Sequence, residues 1–237
     1  MSLLPNKVHR SWNDFLSDTL AMIEAIEKKL DDNFQPQRHR VLRFLETDAN
    51  NLKIIILGQD PYPEKGKATG RAFEVGGLNT WDEPFRQVSL KNIVRLIYKV
   101  HKGIEDYDNI PRFSVILDEI KEGRFRIANP PDLFDSLEKQ GVLFLNTCFT
   151  VYPGKPLSHT EIWHEFTKEL LLWLSKSHPD LIWFLWGKNS QAYKTFIMSG
   201  KFYECRHPMM CSKTYPDDFL KSNCIFDTKQ YVNWLGL

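Results

Sequence analysis

The sequence predicts an α/β fold: a single domain with a central four-stranded parallel sheet flanked by helices. Short apolar runs of strand length alternate along the chain with amphipathic segments of helix length. No internal repeat and no Gly-, Ser- or Pro-rich linker interrupts this alternation. Because strands that alternate with helices favour a parallel sheet covered on both sides, the whole chain, 1–237, is interpreted as one domain.

The four predicted strands are rich in β-branched and aromatic residues, and the first three are continuously apolar, which is typical of strands covered on both faces. They are Lys53 to Leu57, Val142 to Leu145, Leu181 to Leu185 and Phe202 to Cys205. The segment Trp12 to Leu30 places apolar residues at steps of three and four, which predicts an amphipathic helix. The other predicted helices are Gln37 to Leu45, Leu90 to Val100, Val115 to Glu122, Glu161 to Ser175 and Ser190 to Met198.

The charge of the chain is nearly balanced, with 31 Lys and Arg against 30 Asp and Glu and a net charge of +1. This balance argues against a protein that coats nucleic acid. The charge is nevertheless polarised, because residues 104–138 hold nine acids and four bases, whereas residues 186–213 hold five bases and one acid. Local binding of a few phosphates therefore stays compatible with the composition.

Cysteine and histidine spacing does not indicate a metal site. No Cys-x-x-Cys pair occurs among the four cysteines, and His159 and His164 lie five residues apart, one step off the i, i+4 spacing of helical ligands. The apolar runs are too short to span a bilayer, and the N-terminus turns polar without a signal-peptide stretch. We therefore expect free thiols, no membrane association and a cytoplasmic location, with a nuclear location left open.

Polar residues follow each predicted strand. Gln59, Asp60 and Tyr62 follow the first strand, Asn146 the second, Gly187 and Lys188 the third, and His207 the fourth. Because ligands bind at the carboxyl ends of parallel strands, we expect these residues to form one site.

Each candidate also has an ordinary structural interpretation. Asp60 is equally well suited to act as a base or electrostatic stabiliser and to cap its own turn. The Asn146 amide can read the edge of a base, although an Asn-Thr turn is the commoner use. His207 alone would more often be a structural histidine, and Tyr62 and Phe73 alone would more often belong to the core. Their placement after successive strands is what favours a functional site.

Motifs in chain order resemble those of the family 1 uracil-DNA glycosylases. The resemblance rests on Gly58-Gln59-Asp60-Pro61-Tyr62, Ala72-Phe73, Ser89-Leu90-Lys91-Asn92, Gly141-Val142-Leu143-Phe144-Leu145-Asn146, Leu185-Trp186-Gly187-Lys188 and His207-Pro208, and it extends from Trp12 to Trp234. The sequence departs from the family pattern in three places. Pro63 replaces the usual His, as in poxvirus members; residues 83–88 replace a proline-rich loop; and Met209-Met210-Cys211 replaces Ser-Pro-Leu.

The resemblance implies a DNA repair glycosylase that flips uracil out of DNA and hydrolyses its N-glycosidic bond, leaving an abasic site. Asp60 and His207 would be catalytic, Asp60 by stabilising the sugar cation and orienting water and His207 by donating to uracil O2. Residues of the uracil pocket would be Gln59, Tyr62, Phe73 and Asn146. DNA contacts would come from Ser89, Gly187, Lys188, Met210, Cys211 and Ser212. The family's intercalating leucine falls on Cys211, a smaller side chain, and Met210 is the alternative candidate for that role.

The implied partners are uracil-containing DNA, single- or double-stranded, and DNA-mimic inhibitor proteins, with the protein acting as a monomer and without a cofactor. An alternative is a catalytically weakened DNA-binding or partner-scaffold protein on the same fold. Pro63, Cys211 and the altered loop at residues 83–88 favour that alternative. The enzyme is favoured by the joint presence of Asp60, Asn146, Phe73 and His207. The pair of Tyr62 and Asn146 disfavours a glycosylase for another lesion.

Overall fold

Four parallel strands form the centre of the computed structural model, which describes residues 2–237. The strands are β1 (Ile54–Gly58), β2 (Val142–Asn146), β3 (Ile182–Trp186) and β4 (Lys201–Cys205), and their order in the sheet is β2-β1-β3-β4. The α/β fold with a four-stranded parallel sheet is thus confirmed, and each strand lies within one residue of its predicted bounds.

Seven α-helices surround the sheet in the described part of the chain. They are α1 (Asn13–Lys29), α2 (Val88–Lys102), α3 (Phe113–Lys121), α4 (Pro130–Lys139), α5 (Thr160–Ser177), α6 (Lys188–Ala192) and α7 (Cys224–Thr228). The predicted helices corresponding to α1, α2, α3 and α5 are confirmed. Helix α4 was not predicted; it begins with two prolines, which are compatible with the first helical turn because its N–H groups have no helical acceptor. The short α7 was not predicted either.

Two helix predictions need correction. The segment Gln37 to Leu45 forms two 3₁₀ turns, Arg38–Arg40 and Arg43–Glu46, because the backbone at Leu42 (φ −108°, ψ 35°) leaves the helical region. Burial of its apolar side chains in the core outweighs a weak helical periodicity. The segment Ser190 to Met198 is only partly α-helical, since α6 ends at Ala192 and continues as a 3₁₀ turn, Tyr193–Phe196.

Alternate residues of the strands pack into two separate apolar clusters, one on each face of the sheet. Ile54 and Ile56 of β1 belong to the cluster that includes residues of α2, α3 and α4, whereas Ile55 and Leu57 belong to the cluster that includes residues of α1 and α5. All five residues of β1 are buried. This two-sided burial explains why the strands read as continuous apolar runs.

The parallel arrangement brings the loops that follow the strands to one edge of the sheet. Gly58 lies opposite Asn146 in the register of β1 and β2, and Trp186 lies opposite Cys205 in the register of β3 and β4. Within residues 2–237, every helix is too short or too polar to cross a bilayer.

Candidate active site

A cavity of about 370 Å³ lies at the carboxyl ends of the strands. All six residues predicted for catalysis and for the uracil pocket contribute to its lining: Gln59, Asp60, Tyr62, Phe73, Asn146 and His207. Residues from four separate stretches of sequence therefore meet in one place, at the edge of the sheet that the strand topology predicts.

Asp60 is held by two hydrogen bonds on the wall of the cavity. The backbone N–H of Leu157 donates to Oδ2 at 2.7 Å, and the Gln59 side-chain amide donates to Oδ1 at 3.0 Å. Burial raises the pKa of Asp60 above its ordinary value, while these two donors act in the opposite direction. The carboxylate is therefore oriented, partly desolvated and suited to interact with a cation or a water molecule.

The loop that carries Asp60 is fixed from both sides. The carbonyl of Gln59 accepts from Thr147 Oγ1 at 2.8 Å and from the Cys148 backbone N–H at 2.9 Å. Asn189 of α6 donates its side-chain amide to Gln59 Oε1. Asn189 thus connects the loop after β3 to the Asp60 loop through Gln59, a role that sequence reasoning missed.

Gln35 is a second residue that the sequence did not reveal. Its Nε2 donates to the Pro63 carbonyl at 2.9 Å, and its Oε1 accepts from the Gly66 N–H at 3.0 Å, so that one buried amide bridges the loop next to Tyr62. The Tyr62 hydroxyl is buried without a hydrogen-bond partner, and burial raises its pKa. Tyr62 itself lines the cavity.

Phe73 forms the aromatic wall of the cavity. Its ring centroid lies 5.5 Å from that of Trp186 and 5.9 Å from that of His207. Its φ of +66° is unusual for a residue with a Cβ and costs about 1 kcal/mol or more. The buried Arg71, which pairs with Glu74 and Glu138, fixes the same segment and supports the strained backbone of Phe73.

Asn146 places its amide in the cavity at the end of β2. The side chain is 4% exposed and has no hydrogen-bond partner within residues 2–237. A Cβ on the neighbouring Gly58 would lie 2.5 Å from Asn146 Oδ1 and 2.7 Å from the Ala72 Cβ. Glycine at 58 is therefore required for Asn146 to occupy its position, and the amide is free to bind a ligand that offers both a donor and an acceptor.

His207 carries its proton on the nitrogen that is available to a ligand. The Met209 N–H donates to Nδ1 at 3.2 Å, so Nδ1 is the acceptor and the neutral ring holds its hydrogen on Nε2. Burial lowers the pKa of His207 below its ordinary value, which favours this neutral form at pH 7. Gly187 packs against the ring, because a Cβ at this position would lie 2.9 Å from the His207 Cβ.

The family model described as the uracil DNA glycosylase superfamily matches residues 44–227 of the chain. The chain belongs to this superfamily. Two relatives named uracil-DNA glycosylase support the assignment. The Buchnera aphidicola protein is 32% identical over 84% of this chain and 80% of its own length, and the Borrelia duttonii protein is 29% identical over 95% and 94%. The resemblance identified in the sequence is thus confirmed.

Solved structures of superfamily members share the fold. The Nitratifractor salsuginis UNG superposes with a TM-score of 0.68 at 22% identity, covering 86% of this chain and 85% of its own. A mimivirus UNG, determined in complex with UGI, superposes with a TM-score of 0.65 at 23% identity, and the superposition covers 87% of this chain and 71% of the mimivirus chain.

Two of the six residues that the resemblance assigns to DNA, Ser89 and Met210, line the cavity, and Gly187 packs against His207 at its edge. Lys188 and Met210 are exposed, while Ser89 is buried at the start of α2 but still lines the cavity. The Ser212 backbone N–H donates to Asp218 at 2.6 Å and its hydroxyl lies near Thr214, so only part of this residue faces outward.

Cys211 is half-buried. Its thiol faces inward, donates to the Pro208 carbonyl at 3.3 Å and packs against the core, and burial raises its pKa to about 12. Met209 and Met210 are instead 59% and 47% exposed beside the cavity. Met209 and Met210, and not Cys211, therefore present their side chains at the surface beside the cavity. In residues 2–237 no group of three His, Cys, Asp or Glu side chains is arranged to hold a metal ion.

Proposed function

We propose that this superfamily member excises uracil from DNA by hydrolysing the N-glycosidic bond and leaving an abasic site. The observation that carries the proposal is the meeting of an oriented carboxylate, an unpartnered amide and a neutral imidazole in one aromatic-walled cavity. The relatives named uracil-DNA glycosylase in other organisms support the same activity.

The target nucleotide has to leave the base stack, since the glycosidic bond within a duplex cannot reach a buried carboxylate. The cavity of about 370 Å³ is large enough for one base. Phe73 would stack on the flipped base, and Tyr62 would crowd the C5 position, where thymine carries a methyl group. Asn146 would accept from N3–H and donate to O4 of uracil.

Cytosine would be rejected by the same amide. An Asn146 oriented for uracil would place its NH₂ group opposite the exocyclic NH₂ of cytosine. A buried polar contact that is left unpaired in this way costs about 1–3 kcal/mol. Selection against both ordinary pyrimidines therefore follows from two residues of the pocket.

The chemistry proposed needs one carboxylate and one neutral donor. The bond between C1′ and uracil N1 breaks with its electron pair moving into the uracil ring, and Asp60 stabilises the positive charge that develops on the sugar. A water molecule oriented by Asp60 then adds its oxygen to C1′ and passes a proton to the Asp60 carboxylate. His207 donates from Nε2 to uracil O2, so that the departing base leaves as a stabilised anion.

We further propose that the protein acts as a cytoplasmic monomer on single- and double-stranded DNA. Ser89, Gly187, Lys188 and Ser212 would contact phosphates through hydroxyl, ammonium and backbone N–H groups. A protein that mimics DNA would then compete for the same rim, in line with the UGI complex of the mimivirus neighbour.

Uracil release from oligonucleotides tests the proposal. The substrates are single-stranded uracil DNA and U·A and U·G duplexes, with thymine and cytosine oligonucleotides as controls. Asp60→Asn should lower turnover by about 10² or more and leave binding to abasic DNA intact. Asp14→Asn, a substitution on the exposed face of α1, is the matched control and should leave turnover unchanged. Failure of the wild-type protein to release uracil from any substrate would favour a scaffold function.

A further inference from the structure

Asn92, in the segment Ser89-Leu90-Lys91-Asn92, has no role in the chemistry proposed above. It lies in the first turns of α2 and is 6% exposed. Its Nδ2 donates to the carbonyl of Pro208 at 2.6 Å, in a buried contact between residues 116 positions apart. The bond joins α2 to the 3₁₀ turn Pro208–Met210, which directly follows His207.

Arg95 fixes the orientation of the Asn92 amide. One helical turn further along α2, its Nη1 donates to Asn92 Oδ1 at 2.9 Å. The same guanidinium donates from Nε to the Pro111 carbonyl at 2.8 Å, so the arginine is itself anchored. Because a guanidinium only donates hydrogen bonds, the Asn92 oxygen has to face Arg95, and its NH₂ group is directed at Pro208.

The Pro208 carbonyl belongs to the turn that sets the geometry of His207. The Met210 N–H donates to the His207 carbonyl at 2.8 Å, and the Met209 N–H donates to His207 Nδ1. Holding Pro208 in place therefore fixes the plane of the imidazole and directs both methionine side chains outward. The orientation of the proposed donor His207 and that of Met209 and Met210 therefore depend on the same anchored turn.

We propose that Asn92, oriented by Arg95, is a positioning residue that holds the turn His207–Met210 in the geometry required for uracil excision. The inference rests on the proposed function, because His207 is the group through which Asn92 acts. Asn92 bonds to the backbone of the turn and not to the substrate.

The decisive variant is Asn92→Asp, which keeps the shape of the side chain and the pairing with Arg95 but turns an acceptor toward the Pro208 carbonyl. We expect kcat/KM on single-stranded uracil DNA to fall about tenfold or more, as for loss of a buried hydrogen bond, with the loss in kcat and not in KM. Asn50→Asp makes the same charge change at an exposed residue before β1 and should have wild-type kinetics.

A double-mutant cycle with His207→Ala separates positioning from a general structural role. On single-stranded DNA, where no duplex has to be opened, Asn92→Asp should cost less than about twofold once His207 is absent, because the two residues act as one unit. An equal loss in both backgrounds would overturn the proposal, as would wild-type kinetics for Asn92→Asp.

Arg95→Met provides an independent route if Asn92→Asp does not fold. This variant leaves Asn92 in place but removes the group that orients its amide. We therefore expect a smaller loss of kcat/KM than for Asn92→Asp, with the same dependence on the presence of His207. No loss in a folded Arg95→Met protein would also overturn the proposal. If the wild-type protein releases no uracil, the proposed function fails; if the wild type is active and both variants match it, only the positioning role fails.

Discussion

The backbone N–H of Leu157 donates to Oδ2 of Asp60 at 2.7 Å, and Leu157 adopts a left-handed conformation with φ of +63°. A branched side chain in this region costs about 1–2 kcal/mol relative to residues that tolerate it. The strained residue lies in the loop before α5 and directs its N–H into the cavity. Backbone strain and orientation of the carboxylate are therefore linked at one residue.

Leu157→Asn should stabilise the protein by about 1 kcal/mol and retain uracil excision, because asparagine tolerates the left-handed region and keeps the N–H. Thermal unfolding and excision kinetics check both parts. Leu20→Asn is the control: Leu20 is similarly exposed but lies within α1, where asparagine lowers helix stability. A Leu157→Asn protein that unfolds at a lower temperature than the wild type would contradict the strain argument.

The acid side of the pH–rate profile should reflect two groups. The proposed chemistry requires an ionised Asp60 and a neutral His207. Burial raises the pKa of Asp60 above 3.8 and lowers that of His207 below 6.5. Excision should therefore lose activity on acidification at a pH above 3.8, with protonation of His207 contributing only below pH 6.5. A profile that keeps its neutral-pH rate down to pH 3.8 would exclude Asp60 as the required carboxylate.

Asp60→Asn should raise the unfolding temperature at pH 7. Because the folded protein has the higher Asp60 pKa, it binds this proton more tightly than the unfolded chain does. Stability contributed by the protonated group is therefore lost as pH rises from 3.8 through the folded pKa. Removing the charge restores stability at neutral pH. The difference in unfolding temperature between Asp60→Asn and the wild type should disappear as the pH approaches 3.8. Thermal unfolding of both proteins across this range is the measurement; an advantage that persists at low pH would have another cause.

Gly58→Ala should abolish uracil recognition. The added methyl group would lie 2.5 Å from Asn146 Oδ1 and would displace the amide from the cavity. We expect excision to fall by about 10² or more, as for misplacement of a positioned group. Gly66→Ala is the matched control, since it places a methyl group in open space at φ +76° and should affect stability more than excision. Equal activity in the two variants would show that Asn146 can move without consequence.

Met209 and Met210 should affect excision only from duplex DNA. Replacing Met209 and Met210 together by alanine removes the apolar side chains beside the cavity, so excision from a U·A duplex should fall about tenfold while single-stranded activity is retained. Cys211→Ala should leave the preference for single or double strands unchanged, because its thiol faces inward. Met198→Ala, at an exposed methionine outside the cavity lining, controls for surface effects. A changed strand preference for Cys211→Ala alone would assign the duplex contact to Cys211.

The strands and the cavity residues were predictable because each corresponds to a local sequence pattern. A continuous apolar run marks a strand buried on both faces, and the polar residue that follows it marks the carboxyl edge, as at Asp60 and Asn146. Gln35, Asn189 and Arg95 correspond to no such pattern. Each is held by hydrogen bonds to another segment, as when Gln35 bridges Pro63 and Gly66 or Arg95 donates to the Pro111 carbonyl, and such pairings exist only after the fold has formed.

The inward orientation of Cys211 could not be predicted for the same reason, since it depends on contacts that form only in the folded chain. Alignment of motifs placed it at the position of the family's leucine, but the 3₁₀ turn directs the preceding methionines outward and the thiol toward the Pro208 carbonyl. The helix prediction for Gln37 to Leu45 was wrong for a related reason, because contacts with the core, and not the periodicity of the sequence, determine its backbone conformation.

The sheet order places the Asp60 loop and the His207 turn on strands with different surroundings. Strand β1 lies between two neighbours and is fully buried, whereas β4 has a single neighbour and includes exposed residues such as Lys201 and Glu204. Amide hydrogens of β1 should thus exchange only upon global unfolding, and those of β4 through lower-energy local opening. Asp60 therefore follows a strand that is paired on both sides, while the turn proposed to contact a DNA duplex follows the edge strand and should be able to open without displacing the carboxylate.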